Sequence, residues 1–147
     1  MDEAEALKIM AVPKWGEPSL EWRHDTSNLQ VNLFGVVDHE GKTIPGLLVD
    51  FSVNHGARLK FKRYVFTLFK KEFGSHIRVY QQEINLRPGV ARDAHQYSHE
   101  HIGIARYVAD EIWAMADFDN AVERFCKTIN LTLDPSISNH DEFRLTG

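Results

Sequence analysis

The sequence predicts a single α+β domain, in which a bent, mainly antiparallel sheet of about five strands is closed by a C-terminal helix. Three patterns carry that expectation. Two runs of apolar and polar alternation flank a tight turn, a middle segment rich in β-branched and aromatic residues folds back on itself, and one late stretch places apolar residues at helical spacing.

Taken in order, residues 1–28 read as an irregular lead-in with a short fraying helix, because Pro13, Gly16 and Pro18 break any long element. The sheet is expected over residues 29–108. Leu29, Val31 and Leu33 alternate with Gln30 and Asn32 as far as Val37, and residues 38–42 supply a turn. Leu47, Val49, Phe51 and Val53 then alternate with Leu48, Asp50 and Ser52, so the two runs pair as a hairpin. Asn54, His55 and Gly56 turn the chain into a run over 58–70. There Leu59, Phe61, Val65 and Phe69 share one parity, and Arg58, Lys60 and Lys62 the other. Beyond Arg63 both faces become apolar, the mark of a strand covered on both sides. Residues 71–75 return it into 76–86, where Ile77, Val79, Tyr80 and Ile84 favour a strand. Residues 87–93 form a loop. Over 117–130, Phe118, Ala121, Val122, Phe125, Cys126 and Ile129 make one helical stripe, with Asp117 as N-cap and Asp119 favoured by the helix dipole. Cys126 sits on that stripe as a small core residue rather than a nucleophile. Residues 131–147 are a tail.

Composition narrows the class of protein. With 43% apolar and 26% charged residues over 147 positions, the chain can bury one core and does not belong with disordered sequences. It contains no apolar run near the ~18 residues that a membrane span needs. The acidic start lacks the basic and apolar stretches of a secretory signal, and a lone Cys126 cannot form an internal disulfide, so a cytoplasmic setting is expected. Asn130-Leu131-Thr132 is then a chance glycosylation motif. The net charge of −4 hides a basic middle: residues 57–92 carry nine Lys and Arg against Glu72 and Glu83, while both flanks are acidic. That segment either docks a polyanion or pairs with its own acidic flanks.

Candidate chemistry gathers in His95, Tyr97, His99 and His101, which share one face of an extended strand while Gln96, Ser98 and Glu100 point the other way. Same-face neighbours on a strand lie roughly 6.5 to 7 Å apart, close enough for two imidazoles to bracket a phosphate or share a metal. Histidine titrates near neutrality, so one ring can accept a proton while another donates one. His99 and His101 are the candidate acid–base pair and Arg78 the holder of phosphate charge, with Tyr97 or Tyr80 as a further donor. Arg58, Lys60, Lys62 and His95 would bind substrate. The alternative is a divalent transition metal held by His95, His99 and His101, with a carboxylate such as Glu111 to complete the set. A cupin-like site fits poorly, since residues 102–105 offer no Glu after the second His. Surface histidines without a role are a third reading, and His24, His39, His55, His76 and His140 are assigned none.

The segment Ser98-His-Glu-His-Ile-Gly103, followed by Met115-Ala-Asp-Phe-Asp-Asn-Ala-Val-Glu-Arg-Phe125, resembles the C-terminal half of the TumE-type toxins of bacterial toxin–antitoxin modules. The likeness spans roughly residues 57–130. It departs at Gln96-Tyr97-Ser98, where the family has a Gly-Asp-like lead, and has no counterpart before Leu29 or after Asn130. The resemblance implies a bent antiparallel sheet with a closing helix, growth inhibition through RNA, and a DNA-binding antitoxin as partner. Together with the residues it gives the expected function: a toxin-like, metal-independent ribonuclease of a toxin–antitoxin or defence module, with a homodimer as a compatible assembly and no cofactor. A metal-binding domain and a non-enzymatic protein-interaction module remain the alternatives.

Overall fold

The computed structural model describes residues 1–26, 28–55, 62–86, 98–109 and 117–138. Two helices and nine strands follow one another as α1 (Glu3–Ala11), β1 (Lys14–Gly16), β2 (Arg23–Thr26), β3 (Leu29–Val37), β4 (Thr43–Asn54), β5 (Lys62–Glu72), β6 (Ser75–Leu86), β7 (His99–Ile102), β8 (Ala105–Val108), α2 (Phe118–Thr128) and β9 (Leu131–Leu133). The strands form one sheet in the order β8-β7-β6-β5-β4-β3-β1-β9, with β2 also paired to β3. All of its pairs are antiparallel except β1 with β9.

This corrects the expected architecture. A five-strand sheet closed by a C-terminal helix is replaced by a nine-strand mixed sheet with two helices, and the chain runs on from α2 into β9. The alternating runs at 29–37 and 43–54 do pair as a hairpin, and 62–72 and 75–86 as a second. Added to these are β1 and β2 in the supposed lead-in, β8, and β9 in the supposed tail. Each is three or four residues long, too short for alternation to stand out from chance. Their pairing partners, distant in sequence, define them.

Register sorts the long strands into two faces. Val49, Phe51 and Val53 of β4 lie opposite Leu68, Phe66 and Tyr64 of β5, which lie opposite Tyr80, Gln82 and Ile84 of β6. All nine are buried. Helix α2 lies on this side: Phe125 meets Phe51 and Phe66 edge to face, with ring centroids at 5.4 and 5.8 Å. Phe118 likewise meets Tyr64, Phe66 and Trp22. Such pairs add directional attraction to the hydrophobic gain of burying large rings. The Asp117 carboxylate accepts from Asn120 N–H at 2.7 Å and caps α2 as its sequence predicts. Cys126 is half-buried against the core, and burial pushes its thiol up to about 12. A thiol held neutral is no nucleophile.

Helix α1 packs over β6 and β7, burying Ala6 and Met10. Its start is fixed by the β7–β8 turn, where Ile104 N–H donates to Met1 O at 3.0 Å. Lys14 ties the end of α1 to the end of α2: the residue is 1% exposed, and its ammonium donates to the carbonyls of Met10, Val12 and Ile129. Burial draws its pKa down to about 8. No helix among the described residues is long and apolar enough to cross a membrane.

Candidate polar site on the open face of the sheet

The opposite parity makes a second, chemically different face. Asp50 of β4 lies opposite Thr67 of β5, Thr67 opposite Gln81 of β6, Gln81 opposite His101 of β7, and His101 opposite Arg106 of β8. One row along, Ser52, Val65, Glu83, His99 and Val108 align in the same way. Polar side chains so placed must satisfy one another, and several do. Gln81 Nε2 donates to Thr67 Oγ1 at 3.0 Å, Arg78 Nη1 donates to Gln81 Oε1 at 3.3 Å, and Ser52 Oγ donates to Asp50 Oδ2 at 3.0 Å.

His99 and His101 stand side by side on this face, edge to face with ring centroids 5.0 Å apart. Their surroundings differ. His99 is 7% exposed, and its Nε2 meets Glu83 Oε2 at 2.8 Å. The other oxygen of Glu83 lies 3.7 Å from Arg63 Nη1, and Arg63 Nε donates to Asn85 Oδ1 at 2.9 Å. His99 is thus clamped in a charged network.

His101 is half-buried and has no such clamp. Its Nδ1 is buried without a hydrogen-bond partner. A charge on this half-buried ring would stand next to Arg78, His99 and Arg106. Burial first, and then Arg78, His99 and Arg106, lower its pKa to about 4. At neutral pH His101 is therefore an uncharged base. Arg78 is half-buried, and its Nε is also buried without a partner. Burial lowers its pKa and Glu83 opposes the shift. The site joins a neutral imidazole, a guanidinium with unspent hydrogen-bonding capacity, and a second imidazole held by a carboxylate.

Of the residues singled out from sequence, the structure brings together His99, His101 and Arg78. Lys62 does not join them, since it shares the parity of Tyr64 and Phe66 and lies opposite Leu86 on the aromatic side. Tyr80 also faces the core, where it donates to Glu100 Oε2 at 2.6 Å; burial and Glu100 raise its pKa. His95, Tyr97, Arg58, Lys60 and Glu111 lie outside the described residues. Among the described residues no group of three or more His, Cys, Asp or Glu side chains could hold a metal ion. Glu83 and Gln81 were missed. The signal was available for Glu83, one of only two acids in the basic segment 57–92 and therefore a natural partner for a cation.

The chain matches no family model, no curated protein and no solved structure.

Proposed function

We propose that this chain is a metal-independent, histidine-dependent ribonuclease working on the polar face of the sheet. His101, as the tautomer that carries its proton on Nδ1, takes the 2′-hydroxyl proton through Nε2 as that oxygen attacks phosphorus. Arg78 holds the phosphate charge, and His99, oriented by Glu83, returns a proton to the leaving 5′ oxygen. The observation that carries this reading is the contrast between the two rings. A neutral, half-buried base has its ring centroid 5.0 Å from that of an imidazole held by a carboxylate, and a cation with an unpartnered donor sits beside them. The setting, a cytoplasmic toxin neutralised by a DNA-binding antitoxin, is proposed on the resemblance of residues 98–103 and 115–125 to TumE-type toxins.

The test is cleavage of single-stranded RNA by purified protein in the presence of a chelator. His101→Gln keeps the fold and lowers kcat by 10²- to 10⁴-fold, the usual worth of a general base. Cleavage unchanged in both His101→Gln and His99→Gln overturns the assignment. A second reading is favoured by the depth of His99 and its link through Glu83 to Arg63: the cluster is then a buried polar brace for the edge of the sheet. In that case His99→Gln lowers the unfolding midpoint and the wild type shows no turnover.

A further inference from the structure

Hairpin β5–β6 ends in a two-residue turn in which Phe73 (φ 50°) and Gly74 (φ 80°) both have positive φ, between the paired residues Glu72 and Ser75. Positive φ at both central positions is the geometry of a type I′ turn, whose favoured sequence is Asn-Gly. Phenylalanine is a poor choice for the first position, because its Cβ crowds the backbone in the left-handed region. It gains nothing by burial, since Phe73 is fully exposed at 103% of the reference value. A residue that strains the turn and buries no surface contributes nothing to the fold.

The surroundings of Phe73 fit a polyanion. Lys71 lies opposite His76, and Phe69 opposite Arg78, on the parity that continues to Thr67 and Gln81 and so to His101. Lys71 and His76 are exposed. Lys70, on the other parity, is paired with Glu72 at 2.9 Å, which spares Lys71 that partner. The His76 ring stands 5.7 Å from the Phe69 ring. From the hairpin tip towards the histidine pair this face presents a strip of exposed Phe73, Lys71 and His76, then half-buried Phe69, Arg78, Gln81 and His101, with Thr67 buried between them. The strip is about 20 Å long at ~3.3 Å per residue from Phe73 back to Thr67.

We propose that this strip is the binding track for single-stranded RNA, with a base stacked on Phe73 and the backbone led past Lys71, His76 and Arg78 to His101. The inference rests on the ribonuclease reading for its ligand and adds the direction in which the strand runs from the site. Unpaired bases suit it because every base offers a π-face to an exposed ring, while duplexes hide theirs.

The experiment measures binding of a fluorescent single-stranded RNA 12-mer to full-length protein by anisotropy, at several salt concentrations, together with urea unfolding. Phe73→Asn creates the favoured Asn-Gly turn, so this protein is expected to unfold at higher urea than wild type and yet to bind RNA roughly tenfold more weakly. Lys71→Ala is expected to flatten the salt dependence of binding. A Phe73→Asn protein that binds RNA as tightly as wild type overturns the track. So does a wild type that binds no RNA, or one that binds anionic vesicles in preference to it. His101→Gln separates the two ideas: binding kept with cleavage lost supports both, and cleavage kept with Phe73-dependent binding rejects the catalytic pair while sustaining the track.

Discussion

The chemistry of the site turns on how differently two neighbouring rings are seated. His101 has one nitrogen buried without a partner and cations on its borders, so its folded pKa, about 4, lies below the ordinary 6.5. The sign of the consequence is definite. Between those values the unfolded chain binds more protons than the folded one, so stability rises with pH through the window. It is fully present above about 6.5 and is lost as pH falls towards 4. His101→Gln is expected to flatten the pH dependence of the urea midpoint between pH 4 and 6.5, and a slope unchanged from wild type contradicts the assignment. For catalysis the same seating predicts that the acid limb of kcat/KM falls near pH 4, well below the limb of an ordinary histidine base. His99 and His101 were legible as a same-face pair because strand alternation is local. Glu83 was not legible as the partner of His99, because antiparallel register across β6 and β7 decides it.

At the scale of elements, the most exacting contact is between the β7–β8 turn and the start of α1. Gly103 has φ 57°, and a Cβ placed there would come within 2.6 Å of Met1 O and 2.7 Å of Asp2 O. Both faults act together in Gly103→Ala, which is expected to lose about 2 kcal/mol in urea unfolding. Helix α2 depends on its cap more simply. Asp117→Ala removes the acceptor for Asn120 N–H and is expected to cost about 1 kcal/mol, measured as a lower unfolding midpoint with an unchanged m-value. The α2 stripe and its cap could be read from sequence because helical spacing and capping act within a dozen residues. The expected two-sided strand beyond Arg63 places Tyr64, Phe66 and Leu68 on the core side and Val65, Thr67 and Phe69, none of them exposed, on the polar side. Pleating alone assigns the parity, but only the position of α2 says which parity is inside.

Across the whole molecule, Lys14 holds the end of α1 to the end of α2. Its ammonium offers three N–H groups to three carbonyls, two at the end of α1 and one just after α2. Lys14→Met keeps the length of the side chain but leaves those carbonyls buried without donors, and is expected to cost about 3 kcal/mol in urea unfolding. Unchanged stability would show that water replaces the ammonium. The sequence by itself determined the two long hairpins, α2 with its cap, the inert Cys126 and the shared face of His99 and His101, because periodicity and capping are set by neighbours along the chain. Only the folded chain settled the nine-strand extent of the sheet among the described residues, the parallel pairing of β1 with β9 beyond α2, the turning of Lys62 and Tyr80 away from the histidines, and the arrival of Arg78 and Glu83 beside them. Those outcomes depend on register between strands far apart in sequence, where a shift of one residue sends every side chain to the opposite face.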